Sequence, residues 1–112
     1  MRYEMKLNNT PFEQMQKNEK TLEIRLNDAK RKLLNMGDEI LFLNKDHPTK
    51  TLLKKVKDLR LYNCFAEMAE NENCISAGFP TGYTTKDVLD CYYTFYTPEE
   101  EKQFGVLVIV LE

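Results

Sequence analysis

The chain has one histidine, His47, and three cysteines, Cys64, Cys74 and Cys91, none of them in a C-x-x-C pair. An odd number of cysteines at these spacings argues against a disulfide framework and fits a reducing compartment. Without a Cys/His ligand set there is no zinc pattern, and scattered carboxylates alone do not specify a metal. No metal and no cofactor is therefore expected. Long apolar runs are also missing: the longest, Val106 to Leu111, falls far short of the roughly 20 residues that span a bilayer. The opening Met1-Arg2-Tyr3-Glu4 has no apolar leader region. The expectation is a soluble, cytoplasmic monomer with no membrane partner.

Strong charge of either sign is lacking too. The net charge is -2, which argues against a general nucleic-acid coat protein. The distribution is uneven, however: residues 1–60 carry 14 Lys/Arg against 9 Asp/Glu, and residues 61–112 carry 2 against 9. If the basic elements share a face, a local positive patch can attract phosphate despite the acidic whole. At 112 residues the chain is expected to form one domain, 1–112, that buries about two-thirds of its unfolded surface without covalent staples.

What is present is a short alternating segment. From Thr21 to Leu26, Leu22, Ile24 and Leu26 fall on one parity and Thr21, Glu23 and Arg25 on the other, the pattern of a strand with one face packed and one charged. Same-face residues on a strand lie about 7 Å apart, so Glu23 and Arg25 are neighbours, and Lys20 enters from the preceding turn. Such a trio is either a solvated strand edge or a polar ligand site. Arg25 offers paired planar donors, Lys20 a point charge or, if desolvated, a base, and Glu23 an acceptor.

Around this segment the chain alternates strands with short helices. Arg2 to Leu7 reads as a strand. Thr10-Pro11-Phe12-Glu13 reads as a helix start with Thr10 as N-cap. Asp28 caps a turn carrying Lys30, Arg31 and Lys32, and Gly37 turns into a strand from Glu39 to Leu43. After a turn at Asn44–Thr49, a long strand runs from Thr51 to Tyr62, its broken alternation predicting a bulge near Lys54-Lys55. Asn63 is placed to cap a helix from Cys64 to Asn71, followed by a flexible Gly78–Tyr83 loop that either connects or closes over a ligand. Thr84 and Asp87 open a longer helix on which Val88, Leu89, Tyr92, Phe95 and Tyr96 recur at helical spacing. Tyr93 lies beside that stripe, where it can stack on a base. Thr97-Pro98 starts a last short helix, Gly105 ends it, and Val106 to Leu111 suits a strand buried on both faces. Few of these helices are long enough to act as crossovers, so the expected fold is α+β, with a mostly antiparallel, curled sheet.

The string Asn18-Glu19-Lys20-Thr21-Leu22-Glu23-Ile24-Arg25, continued by Leu26-Asn27-Asp28-Ala29-Lys30-Arg31 and Met36-Gly37-Asp38, resembles the G-x-K-x-x-E-x-R region of the ASCH domain family, a branch of the PUA-like superfamily. Tyr62-Asn63-Cys64-Phe65, Tyr92-Tyr93 and Tyr96 to Glu101 before Phe104-Gly105 extend the likeness to nearly the whole chain. One position departs: Asn18 stands where the family has glycine, and asparagine is the next best residue at a positive φ. The resemblance implies a small PUA-like β-barrel flanked by short helices, with a cleft beside the motif strand.

It also implies function. ASCH and PUA-like domains are associated with RNA recognition, so the first reading is a module for RNA or for a nucleotide or modified nucleoside, with Lys20, Glu23, Arg25, Asn27, Lys30, Arg31 and Tyr93 as candidate ligand contacts. Some small members are amidohydrolases acting on N4-acetylcytidine and others are described as ribonucleases. In the amidohydrolase pattern a lysine, a threonine three residues on and a downstream glutamate carry the reaction. Here Lys20 matches but Glu23 occupies the threonine position, removing the hydroxyl nucleophile. Lys20 and Glu23 remain catalytic candidates through an activated water, with Glu67, Glu70 or Glu72 as the downstream carboxylate. A third reading, an interaction module without a small ligand, calls for a large exposed apolar patch in place of a charged cleft.

Overall fold

The computed structural model describes all 112 residues. In chain order the elements are β1 (Arg2–Leu7), α1 (Asn9–Gln16), β2 (Leu22–Leu26), β3 (Glu39–Asn44), β4 (Thr51–Tyr62), α2 (Phe65–Asn71), α3 (Thr85–Tyr92), α4 (Pro98–Phe104) and β5 (Val106–Leu111). Short 3-10 turns occupy Arg31–Leu33 and Cys74–Ala77.

The five strands form one curled sheet in the order β1-β3-β4-β5-β2. Three of the four pairings are antiparallel, and β1 with β3 is parallel. The sheet is therefore mixed, and it does not close: β1 and β2 are its two edges. The expected barrel is an open half-barrel.

The apolar run of β5 divides between two cores. Val106 and Val108 face one side, with Leu22, Ile24 and Leu26 of β2 and with Phe65, Met68 and Val88 of α2 and α3. Leu107, Ile109 and Leu111 face the other, with Met5, Leu7, Phe12, Met15, Ile40 and Phe42. A strand covered on both faces has no solvent side to mark with charge, which is why its sequence shows no alternation.

Local chemistry differs from the sequence reading at several points. Helix α1 starts at Asn9 after Asn8, not at a Thr10 cap, and no side chain caps it at Asn8. The bulge lies between Val56 and Asp58, not at Lys54-Lys55, because β4 pairs with β3 up to Lys55 and with β5 from Val56 onwards. The register shift falls where the strand changes partner. Asn63 does not cap α2: the Phe65 N–H is taken instead by the buried Glu101 carboxylate at 2.7 Å. Thr84 with Asp87 and Thr97 with Glu100 do form reciprocal capping boxes.

Candidate nucleotide-binding cavity

The motif begins at a tight turn after α1. Asn18 has a φ of 61°, the left-handed conformation expected of the glycine it replaces. The N–H groups of Glu19 and Lys20 both donate to Gln14 O, which swings Lys20 under the end of β2.

Lys20 and Glu23 are each only 5% exposed. Parity puts Glu23 on a charged outer face, but that side is enclosed as well, and all of β2 except Arg25 is buried. The Lys20 ammonium donates to Leu22 O at 2.9 Å and Ala77 O at 2.8 Å, and lies 3.2 Å from Glu23 Oε1. Two of its protons are thus held by backbone carbonyls, and the ammonium forms an ion pair with Glu23. Glu23 Oε2 accepts from Arg25 Nε at 2.7 Å. Burial pushes the Glu23 carboxyl up, but the Lys20 and Arg25 charges outweigh it and hold the group below the usual carboxylate range. Burial likewise disfavours the Arg25 charge and is outweighed by Glu23, so the guanidinium stays firmly protonated.

Arg25 spends one further N–H on Lys6 O of β1, at 3.0 Å. Two of its five N–H groups are thus engaged, leaving three for a ligand. This bond crosses the gap between the two sheet edges, and a cavity of about 370 Å³ opens there. Its floor is Lys20, Glu23, Ile24 and Arg25, with Gln14 of α1 and Ala77-Gly78 beside them. Its wall is aromatic: Phe79, Tyr92, Phe95 and Tyr96. Burial raises the Tyr92 and Tyr96 hydroxyls above their usual range, so both remain neutral donors.

The sequence shows only part of this aromatic wall. Helix α3 ends at Tyr92, and the Thr94 hydroxyl bonds Cys91 O at 2.6 Å in the turn that follows. Phe95 and Tyr96 therefore leave the helix and meet the cavity, Phe95 remaining 64% exposed. Tyr93 lies outside it: its ring stands edge-on to Phe65 and its hydroxyl donates to Glu101 at 2.8 Å.

The other expected contacts lie elsewhere. Asn27 borders a separate shallow groove with Tyr62, Asn63 and Gly105, and its N–H donates to Gly105 O. Arg31 pairs with Asp28 at 3.3 Å, and Lys30 is exposed; neither lines the cavity. Of the three glutamates considered downstream, Glu72 is held by Arg60 and Tyr62, while Glu67 and Glu70 sit on α2 away from the cavity. His47 is an exposed loop residue. The Gly78–Tyr83 loop contributes Gly78 and Phe79 to the lining, and Tyr83 is anchored by accepting the Cys74 N–H at 3.0 Å.

The sequence model of the ASCH domain matches residues 5–112. The chain belongs to the ASCH domain family. Among solved structures it is similar to the hypothetical protein PH0355, at 34% identity and a TM-score of 0.88 over 100% of this chain and 98% of that one. It is similar to protein PF0455 from Pyrococcus furiosus, at 35% identity and a TM-score of 0.79 over 100% and 96% of the two chains. The ASCH protein of Zymomonas mobilis shares the fold, with a TM-score of 0.58 at 10% identity over 97% of this chain and 65% of that one. None of the curated proteins matches the chain. Lys20, Glu23 and Arg25, the residues on which the resemblance to that family rests, are the three charged groups at the cavity floor.

Proposed function

We propose that the cavity binds one unstacked base of RNA, or the base of a free nucleotide or modified nucleoside. The observation that carries this reading is that the unengaged N–H groups of Arg25 and the remaining lone pairs of Glu23 share one cavity with four aromatic rings. Neighbouring donors and acceptors match the mixed edge of a nucleobase, and aromatic side chains give its faces a stacking surface. The volume is near the lower end of the roughly 300–1,000 Å³ range of small-ligand cavities, which suits one splayed nucleotide better than a duplex. ASCH domains as a family are associated with RNA binding, in keeping with this chemistry.

Three features support binding over hydrolysis. The Lys20 ammonium is engaged by two backbone carbonyls and by the Glu23 carboxylate, so it is occupied by protein acceptors rather than offered to a substrate. Glu23 is paired on both oxygens and held in its charged form below the usual range, far from the poise of a base that works near neutrality. The lining contains no serine or threonine, and burial pushes the thiol of its one cysteine, Cys91, up and away from the reactive thiolate.

The test is fluorescence anisotropy with short single-stranded RNA across a salt series, comparing wild type with Arg25→Ala. Salt-sensitive binding that Arg25→Ala abolishes supports the reading. Binding that survives the substitution removes this cavity from consideration. Release of acetate from N4-acetylcytidine by the wild type would return the amidohydrolase reading to first place.

A further inference from the structure

The floor of the cavity does not account for its charge. Four cations, Lys6, Lys20, Arg25 and Lys45, line it against a single carboxylate, Glu23. Lys20 and Arg25 are tied to Glu23, but Lys6 and Lys45 are exposed at the mouth and belong to no ion pair. A neutral base filling the interior would leave both without a counterpart.

Their backbone is fixed even though their side chains are free. In the parallel β1–β3 ladder Lys6 is in register with Leu43, and the ladder continues one step past β3 through Lys45 N–H to Leu7 O at 2.9 Å. Lys45 lies just past the end of β3, so it and Lys6 come to the same end of the β1–β3 pair, and both line the cavity. The loop after it is clamped by Asn44, which is 2% exposed: its Oδ1 accepts from the N–H groups of Asp46 and His47 at 2.9 and 3.0 Å, and its amide donates to Asn9 Oδ1 at 2.9 Å. The adjacent acid, Asp46, accepts the Asn9 N–H at 2.8 Å and forms no ion pair with Lys45. Arg25 joins this group through Lys6 O, so three cations run from the floor of the cavity to its mouth.

We infer that Lys6 and Lys45 form a phosphate subsite, and that the ligand of the cavity is a phosphorylated nucleotide unit whose base lies inside and whose phosphate sits at the mouth. The inference rests on the base-binding reading of the same cavity. A phosphate brings one to two negative charges to a pair of unmatched ammonium groups, and lysine engages it as a point charge without a fixed geometry. The phosphate can be the end of a free nucleotide or a diester of single-stranded RNA, both presenting the same oxygens.

The experiment is calorimetric titration of the four ribonucleosides, their 5′-monophosphates and a single-stranded pentaribonucleotide into wild type, Arg25→Ala and the double variant Lys6→Gln/Lys45→Gln. Circular dichroism would confirm that each variant is folded. For wild type, at least one monophosphate is expected to bind roughly tenfold more tightly than its nucleoside, the scale of one or two charge-assisted hydrogen bonds. In Lys6→Gln/Lys45→Gln that gap should close to about twofold or less. A pentamer that binds more tightly than every monophosphate assigns the phosphate to an RNA strand, and the reverse assigns it to a free nucleotide. Equal affinities for nucleoside and monophosphate in wild type, or a gap that persists in the double variant, overturn the phosphate subsite and leave the base site standing. Nucleoside binding undiminished in Arg25→Ala overturns the base site, and this inference with it, as does the absence of binding by every compound.

Discussion

The Lys20 ammonium lies 2.8 Å from the carbonyl of Ala77, a residue 57 positions further along the chain. With its bonds to Leu22 O and Glu23 this makes Lys20 the post that fixes the motif strand to the turn beneath α3. Its first role is to hold the cavity floor in shape. Replacing Lys20 with Met leaves Glu23 buried with one cation instead of two and two backbone carbonyls short of a donor. We expect a loss of about 3 kcal/mol, at the lower end of the cost of breaking a buried pair. Urea unfolding measures it; a loss below that of Arg25→Ala would show that Lys20 is not structural.

Arg25→Ala should separate binding from stability. The Arg25 side chain is 17% exposed, and Glu23 keeps Lys20 when it is removed. The cost in stability should be about 2 kcal/mol or less, while RNA binding is lost. Arg25→Lys should not restore it, because an ammonium group cannot keep both the Glu23 and Lys6 bonds and still offer a flat donor edge to a base.

Acid titration should expose Glu23. Its carboxyl is held below the ordinary value of 4.5 in the folded protein, so the unfolded chain takes up its proton first as pH falls. The contribution of Glu23 is fully present above 4.5 and is lost as pH drops through the lower folded value. Glu72 behaves in the same sense: the Arg60 hydrogen bonds lower it more than burial raises it. The stability gap between wild type and Glu23→Gln should therefore be widest above about pH 5 and narrow towards pH 3. A gap that widens on acidification would mean the sign is wrong.

Glu101→Ala removes two bonds at once, the cap on the Phe65 N–H and the acceptor for the Tyr93 hydroxyl. A loss of about 2 kcal/mol is expected in thermal or urea unfolding, with ligand affinity unchanged because neither partner lines the cavity.

The ease with which each part could be read from the sequence follows from how local its cause is. The two capping boxes, the positive φ of Asn18 and the doubly buried β5 depend on neighbouring residues or on a run of apolar side chains, and they were legible. Parity along β2 separated Glu23 and Arg25 from Leu22 and Ile24, but it does not reveal what covers the second face. The residues that enclose the cavity with it, Gln14, Ala77 and Tyr92 among them, are far apart in sequence, so Glu23 was expected outside and is found inside. The aromatic side of the cavity was missed for a related reason. Phe95 and Tyr96 continue the helical period of α3 in sequence, yet the helix stops at Tyr92 and the period has no meaning beyond it. Lys6 and Lys45 carried no local signal at all, since only the parallel pairing of β1 with β3 brings them together.

The bond from Arg25 to Lys6 O has a further consequence. β1 and β2 are the open margins of the sheet, and an open margin is a template on which another molecule can lay a strand. The guanidinium occupies one of the carbonyls such an intruder would need. The same side chain that is proposed to read the ligand thus also covers part of an open strand edge.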